Sequence, residues 1–168
     1  CLGVRLHGAQ LIFRRFGLSG KSFIPLLVAT GCHRGTTPEE LAAKMGQEIA
    51  ERETIKIHDA FNAEENVEIG VLPSGAPLVI DRAAVETDLL VAEGFIEPHF
   101  FAGFSGGRKS VLPGVCSATT VFGNHCGAFI ADEHARTGIL EGNPIHKDML
   151  AAAEMAKLAY IVNVVIDD

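Results

Sequence analysis

The chain has 168 residues, of which 48% are apolar and 21% charged, with a mean hydropathy of +0.25 and a formal charge of −7. This length predicts one domain with enough apolar residues for a buried core, and the acidic balance excludes a nucleic-acid surface, which relies on clustered Lys and Arg. No apolar run is long enough to span a bilayer, no signal peptide is visible, and Cys1, Cys32, Cys116 and Cys126 form no CxxC pair. A cytoplasmic protein with reduced thiols is therefore expected, and no membrane partner. The first residue is Cys1 rather than Met, which is read as the mark of a fragment.

In chain order, the run FIPLLVA at residues 23–29 predicts a buried strand in spite of Pro25, leading to a loop of Gly31, Cys32 and His33. A helix is expected to start at Thr37, with Pro38 in the first helical position and Glu40 closing a capping box. It should reach Met45 and stop at Gly46, with a short helical piece to Glu51. Strands are expected at residues 54–58, 67–72 and 77–80, the last two separated by a turn at residues 73–76. A short helix at 81–86 and a strand at 88–92 then lead into a loop at 97–110. Ser117 is placed to cap a helix carrying Asn124 and His125. Asn143 and Pro144 open a last helix whose Ile145, Met149, Ala152, Ala153 and Ala156 share one face. A β-branched strand at 160–166 closes the chain. This alternation predicts an α/β fold, Rossmann-like, with a largely parallel sheet flanked by helices. Ligands in such folds sit at the carboxyl ends of strands, where His33 and His99 both fall.

The loop at 97–110 reads EPHFFAGFSGGRKS. Glycine at this density contributes no packing and costs conformational entropy, so the segment is built to hold something. From Gly103 it nearly spells the GxxxxGK[ST] phosphate loop, but Arg108 replaces the second glycine and no acid for Mg²⁺ is identifiable. An ATPase is rejected on that ground. The amides of Gly106 and Gly107 remain candidates to cradle a single phosphate. Lys109 has a cation, Arg108, beside it, which eases loss of its proton and suits a nucleophile. His125, a lone histidine on a helix, fits a structural role better than that of a metal ligand on its residues alone. His33 and His99 carry imidazoles, whose unperturbed pKa near neutrality is what acid/base groups require. His7, His58, His134 and His146 are read as structural or solvated, and Arg34 equally as an anion contact, solvated or salt-bridged. Two further readings stay open. His33, His99 and His125 suit an open zinc site of a hydrolase, which leaves Lys109 without a role. Alternatively, the glycine loop belongs to a non-catalytic module that binds a nucleotide or phosphate.

Residues 97–114, the segment Thr30-Gly31-Cys32-His33-Arg34 with the helix start at Thr37, and the pair Asn124-His125 together resemble the nickel-dependent lactate racemase family, from about Ser22 to the end of the chain. The resemblance implies a racemase or epimerase of a small 2-hydroxy acid such as lactate. Its cofactor would be a nickel pincer nucleotide (Ni-pyridinium-3-thioamide-5-thiocarboxylic acid mononucleotide), covalently attached at Lys109, with His125 as the protein's nickel ligand. His33 and His99 would be the two acid/base groups, one for the hydroxyl of each enantiomer, while hydride moves to and from the cofactor. Proteins that build the cofactor are implied partners. Family members are longer and have two domains. Residues 1–168 thus correspond to a partial N-terminal cofactor-binding and catalytic domain, without the C-terminal domain. The family's Asp-x-Thr-Arg-Pro motif is absent from residues 1–21, and Arg5, Arg14 and Arg15 do not stand in that context. The isolated chain is expected to show little turnover and, lacking a domain interface, to expose apolar surface.

Overall fold

The computed structural model describes residues 9–13, 15–16, 22–23 and 26–165. The strands β1 (Ala9–Phe13), β2 (Arg15–Phe16), β3 (Ser22–Phe23) and β4 (Leu26–Ala29) come first. The helices α1 (Pro38–Met45) and α2 (Gln47–Arg52) then lead to β5 (Ile55–Ile57). A hairpin of β6 (Asn66–Val71) and β7 (Pro77–Asp81), the helical turn α3 (Arg82–Val85) and β8 (Leu90–Phe95) follow. Two short strands, β9 (Pro98–His99) and β10 (Gly103–Phe104), precede a 3₁₀ turn at Gly107–Ser110. The chain ends with α4 (Ala118–Asn124), α5 (Gly127–Ile130), α6 (Pro144–Met155) and β11 (Leu158–Val164).

The main sheet has five strands in the order β11-β8-β1-β4-β5. β4 and β5 are parallel, joined over α1 and α2, and β8 and β11 are parallel. β1 lies between these pairs and runs antiparallel to both β4 and β8. The sheet is therefore α/β in its parts but mixed, which corrects the expectation of a largely parallel sheet. The cause is a strand in residues 9–13 that the apolar pattern did not single out and that takes the central position. The separate β6–β7 hairpin is also antiparallel. It turns at Gly75, whose φ of +89° few residues other than glycine adopt.

Local sequence explains most of the other elements. Thr37 and Glu40 form the predicted capping box of α1, and Gly46 ends it at φ +86°. The four residues of β4 are all buried, as an interior strand requires. Ile145, Met149, Ala152, Ala153 and Ala156 are all buried and seat α6 on a core that includes Leu27, Leu78, Ile80, Leu90, Leu112 and Val115. A side chain of the size of Ile145 or Met149 contributes about 1.5–3 kcal/mol by full burial. Ser117 stands at the N-cap of α4, but its hydroxyl makes no capping bond and is buried without a partner. Among the described strands β11 is an outer one, and its Tyr160, Ile161, Val162 and Val164 are exposed. Ile166 lies outside the described residues.

Candidate active site

The segment after β8 folds back on itself. His99 pairs with Gly103 in the β9–β10 ladder, and the base of the arch is stapled by Ser105. The Ser105 N–H donates to the Glu97 carbonyl, while its hydroxyl accepts from the Glu97 N–H and donates to the Phe95 carbonyl, all within 2.8–2.9 Å. Gly103 must be glycine, because a Cβ there would lie 2.5 Å from the Ile139 carbonyl oxygen. Gly106 and Gly107 are buried at positive φ and let the chain run close over the sheet, where a Cβ on Gly106 would meet Phe95 and Ile96 at 3.0 Å. The Gly107 N–H points at Asn163 Oδ1 at 3.3 Å, so this amide has a partner inside the fold rather than facing an anion. The 3₁₀ turn that follows carries Arg108 and Lys109.

Phe101 is the point at which the site residues meet. Its ring contacts the rings of His99 and His125 edge-on, with centroids 4.6 and 5.0 Å apart. Lys109 Nζ lies 5.7 Å from the same ring. Phe100 stacks on His99 at 4.8 Å. Two backbone amides, of Phe101 and Ala102, approach His99 Nδ1 at 3.5 and 3.3 Å and fix the ring over the turn. Burial, reinforced by Arg108, lowers the Lys109 ammonium from 10.5 to about 8. Burial, reinforced by Lys109, lowers His125 to about 4, so its imidazole is neutral at physiological pH. His125 sits at the C-cap of α4, one residue beyond the helix on which the sequence placed it. Its Nδ1 is buried and has no hydrogen-bond partner. Buried polar atoms are nearly always paired, and among the described residues this nitrogen shares its unpartnered state with Asn66 Oδ1, Ser110 Oγ, Ser117 Oγ and Asn124 Oδ1.

His33 is exposed on the loop after β4. Among the described residues, no hydrogen bond, ion pair or ring contact ties its side chain to His99, Lys109 or His125. Its backbone is nevertheless linked to theirs. Gly31 N–H donates to the Gly114 carbonyl at 2.8 Å, and Gly114 N–H donates to the Lys109 carbonyl at 3.0 Å. Arg34 forms an ion pair with Glu40 at 2.5 Å. Among the described residues, no group of three or more His, Cys, Asp or Glu is placed to hold a metal ion. No described helix is long and apolar enough to cross a membrane.

Two clusters escaped the sequence. Phe101 lay inside the glycine-rich loop, but nothing in a single sequence distinguishes an aromatic hub from its neighbour Phe100. His58 was read as structural or solvated, and it is fully buried. Its Nδ1 is 3.2 Å from Asp81 Oδ2 and its Nε2 is 3.0 Å from the Cys116 carbonyl. Asp81, read only as the start of a helix, is the counterpart of both His58 and Lys56.

Residues 10–138 match the lactate racemase N-terminal domain. The chain belongs to this family. It is 59% identical over 144 residues to a lactate racemase from Thermoanaerobacterium thermosaccharolyticum, and 56% identical over 145 residues to one from Lactiplantibacillus plantarum. Each match covers 86% of this chain and 34% of the relative, so the chain spans about a third of the length of these racemases. The solved apoprotein of the first racemase superposes with a TM-score of 0.84 at 59% identity, over 85% of this chain and 34% of that one. A protein from Thermotoga maritima gives a TM-score of 0.72 at 30% identity, over 84% and 38% of the two chains. Within the racemase N-terminal domain, the matched span 10–138 includes His33, His99, Phe101, Lys109 and His125.

Proposed function

We propose that this chain is the cofactor-carrying part of a racemase or epimerase of a small 2-hydroxy acid such as lactate, an N-terminal cofactor-binding and catalytic domain completed by a C-terminal one. The reading is carried by one observation: a buried, unpartnered His125 Nδ1 shares the Phe101 ring with the Lys109 amine. Its family membership supports the same reading.

The residues present fit a lysine-tethered nickel pincer nucleotide. A neutral imidazole nitrogen with no protein partner is a suitable ligand for Ni²⁺, and a lysine depressed to about 8 has an appreciable neutral, nucleophilic fraction at physiological pH. Lys109 would hold the group covalently, His125 would hold its metal, and Gly106 and Gly107 would allow close approach by their shape. When bound, such a group supplies an acceptor for the hydrogen on the α-carbon of the substrate and returns it. The chain's own residues supply the rest. His99, set against Phe101 and two backbone amides, and His33, on the loop after β4, exchange the hydroxyl proton, one serving each enantiomer. Phe101, packed against the core, keeps water from the side of the site that it covers. Substrate-carboxylate contacts belong to the rest of the protein, so the 168-residue chain alone should interconvert D- and L-lactate little or not at all.

The test is the intact mass of the chain produced together with the enzymes that build the pincer cofactor. An adduct mapping to Lys109 and absent from Lys109→Ala is expected. A covalent adduct that persists in Lys109→Ala would overturn the assignment.

A further inference from the structure

In sequence, Arg108 is read only as the cation beside Lys109. In the fold, its guanidinium is turned to backbone carbonyls. Nη2 donates to the Ala102 carbonyl and Nη1 to the Phe104 carbonyl, each at 2.8 Å, with longer approaches of Nη1 to the Ser105 and Gly106 carbonyls at 3.4 and 3.5 Å. Behind this fork, Nε donates to Nδ1 of His146 at 3.1 Å. His146 lies in the first turn of α6, and the cap of that helix, Asn143, donates its side-chain amide to the Phe101 carbonyl at 2.9 Å. The Gly103 carbonyl accepts from Gly138 N–H at 3.0 Å. Four consecutive carbonyls, from Phe101 to Phe104, are thus each taken by a donor from outside residues 99–104, two of them by Arg108.

We propose that Arg108, braced by His146, is a positioning residue of this site, fixing the turn between His99 and Lys109 so that both keep their geometry around Phe101. The proposal takes its catalytic meaning from the racemase reading above. A planar guanidinium reaches two carbonyls and an imidazole at once, which the single ammonium of lysine cannot do. Burial, with the charge of Arg108, keeps His146 below its ordinary value, so the ring stays neutral and its Nδ1 remains an acceptor. Burial lowers Arg108 only to about 10, so the guanidinium remains charged at neutral pH.

The test compares Arg108→Lys, His146→Leu and His146→Asn, the last because Asn Oδ1 can stand where Nδ1 stood. Two quantities are read: hydrogen exchange at the amides of residues 103–105 in the cofactor-free chain, and the rate of adduct formation at Lys109 during co-production with the cofactor enzymes. Arg108→Lys and His146→Leu should raise exchange about tenfold and slow loading by a similar factor, with cooperative melting retained, while His146→Asn stays within about threefold of the parent. Unchanged exchange in Arg108→Lys overturns the proposal. So does slowed loading with unchanged exchange, which makes Arg108 a direct contact of the cofactor. If Arg108→Lys does not fold, the two His146 variants decide: equal exchange in Leu and Asn variants refutes the brace. Failure of the parent chain to load defeats the nickel reading alone, and the exchange data still decide the role of Arg108.

Discussion

His58 and His125 both bring an imidazole into the interior, and they differ in what meets the ring nitrogens. Both nitrogens of His58 have oxygen partners, and Asp81 in turn accepts from Lys56 Nζ and from the Ala83 N–H at 2.9 Å each. Burial pushes the Asp81 carboxyl up, and the hydrogen bonds from His58 and Lys56 outweigh it and hold the group below its usual range. The cluster also holds the backbone in place. His58 N–H donates to the Val28 carbonyl, and the His58 carbonyl accepts from Thr30 Oγ1 at 2.7 Å, directly before the loop that carries His33. His125 has an unpartnered Nδ1 and a nearby lysine whose charge works against its own protonation. A saturated polar cluster stabilises the scaffold. An unsaturated one weakens it, and under the proposed function a bound metal would take the free nitrogen beside Lys109.

The largest effect should come from breaking the saturated cluster. Asp81→Ala removes the counterpart of buried His58 and half-buried Lys56 and the cap of α3, and should cost ~3–5 kcal/mol, a drop of roughly 10 °C in Tm for a chain of this size. A melting shift of a degree or two would mean that the cluster is not a structural anchor. At the other site, the Lys109 amine should show its altered environment in its reactivity. Acylation followed by peptide mass mapping should give a half-point for Lys109 near 8, where an ordinary lysine gives 10.5. A half-point at the ordinary value would show that the amine is solvated.

The smallest effect is the most specific. His125 is depressed to about 4 from an unfolded value of 6.5, so between these values the unfolded chain binds more protons than the folded one, and stability rises with pH across that window. Conversely, the stability associated with the neutral ring is lost as pH falls from 6.5 towards 4. His125→Ala should flatten this part of the stability profile and, near neutral pH, cost only about 0.5–1.5 kcal/mol, since the edge-on contact with Phe101 is lost but Nδ1 gives up no hydrogen bond. A loss comparable to that of Asp81→Ala would place His125 among the structural residues.

The contrast also shows what the sequence could and could not disclose. The capping box at Thr37 and the α6 face from Ile145 to Ala156 were legible because they depend on local spacing. Lys109, His99 and His125 were legible as candidates because the glycine-rich loop and the family resemblance singled them out, and the fold gathers all three around Phe101. His33 was singled out in the same way, but the fold links only its backbone to the group. The direction of β1 was not legible, because strand polarity is set by partners distant in sequence. The same holds for the pairing of His58 with Asp81, 23 residues away, and of Arg108 with His146, 38 residues away. The glycines illustrate the limit differently. Gly106 and Gly107 were expected to offer amides to a phosphate, whereas the fold uses their lack of a side chain and pairs one amide with Asn163.

The central claim is that the unpartnered nitrogen of His125 is there for a metal. It is tested most directly by the nickel content of the chain after co-production with the cofactor enzymes, compared with that of His125→Ala. Stoichiometric nickel in the parent chain and its loss in His125→Ala, with the adduct on Lys109 present in both, is the predicted result. Equal nickel in the two chains would contradict it.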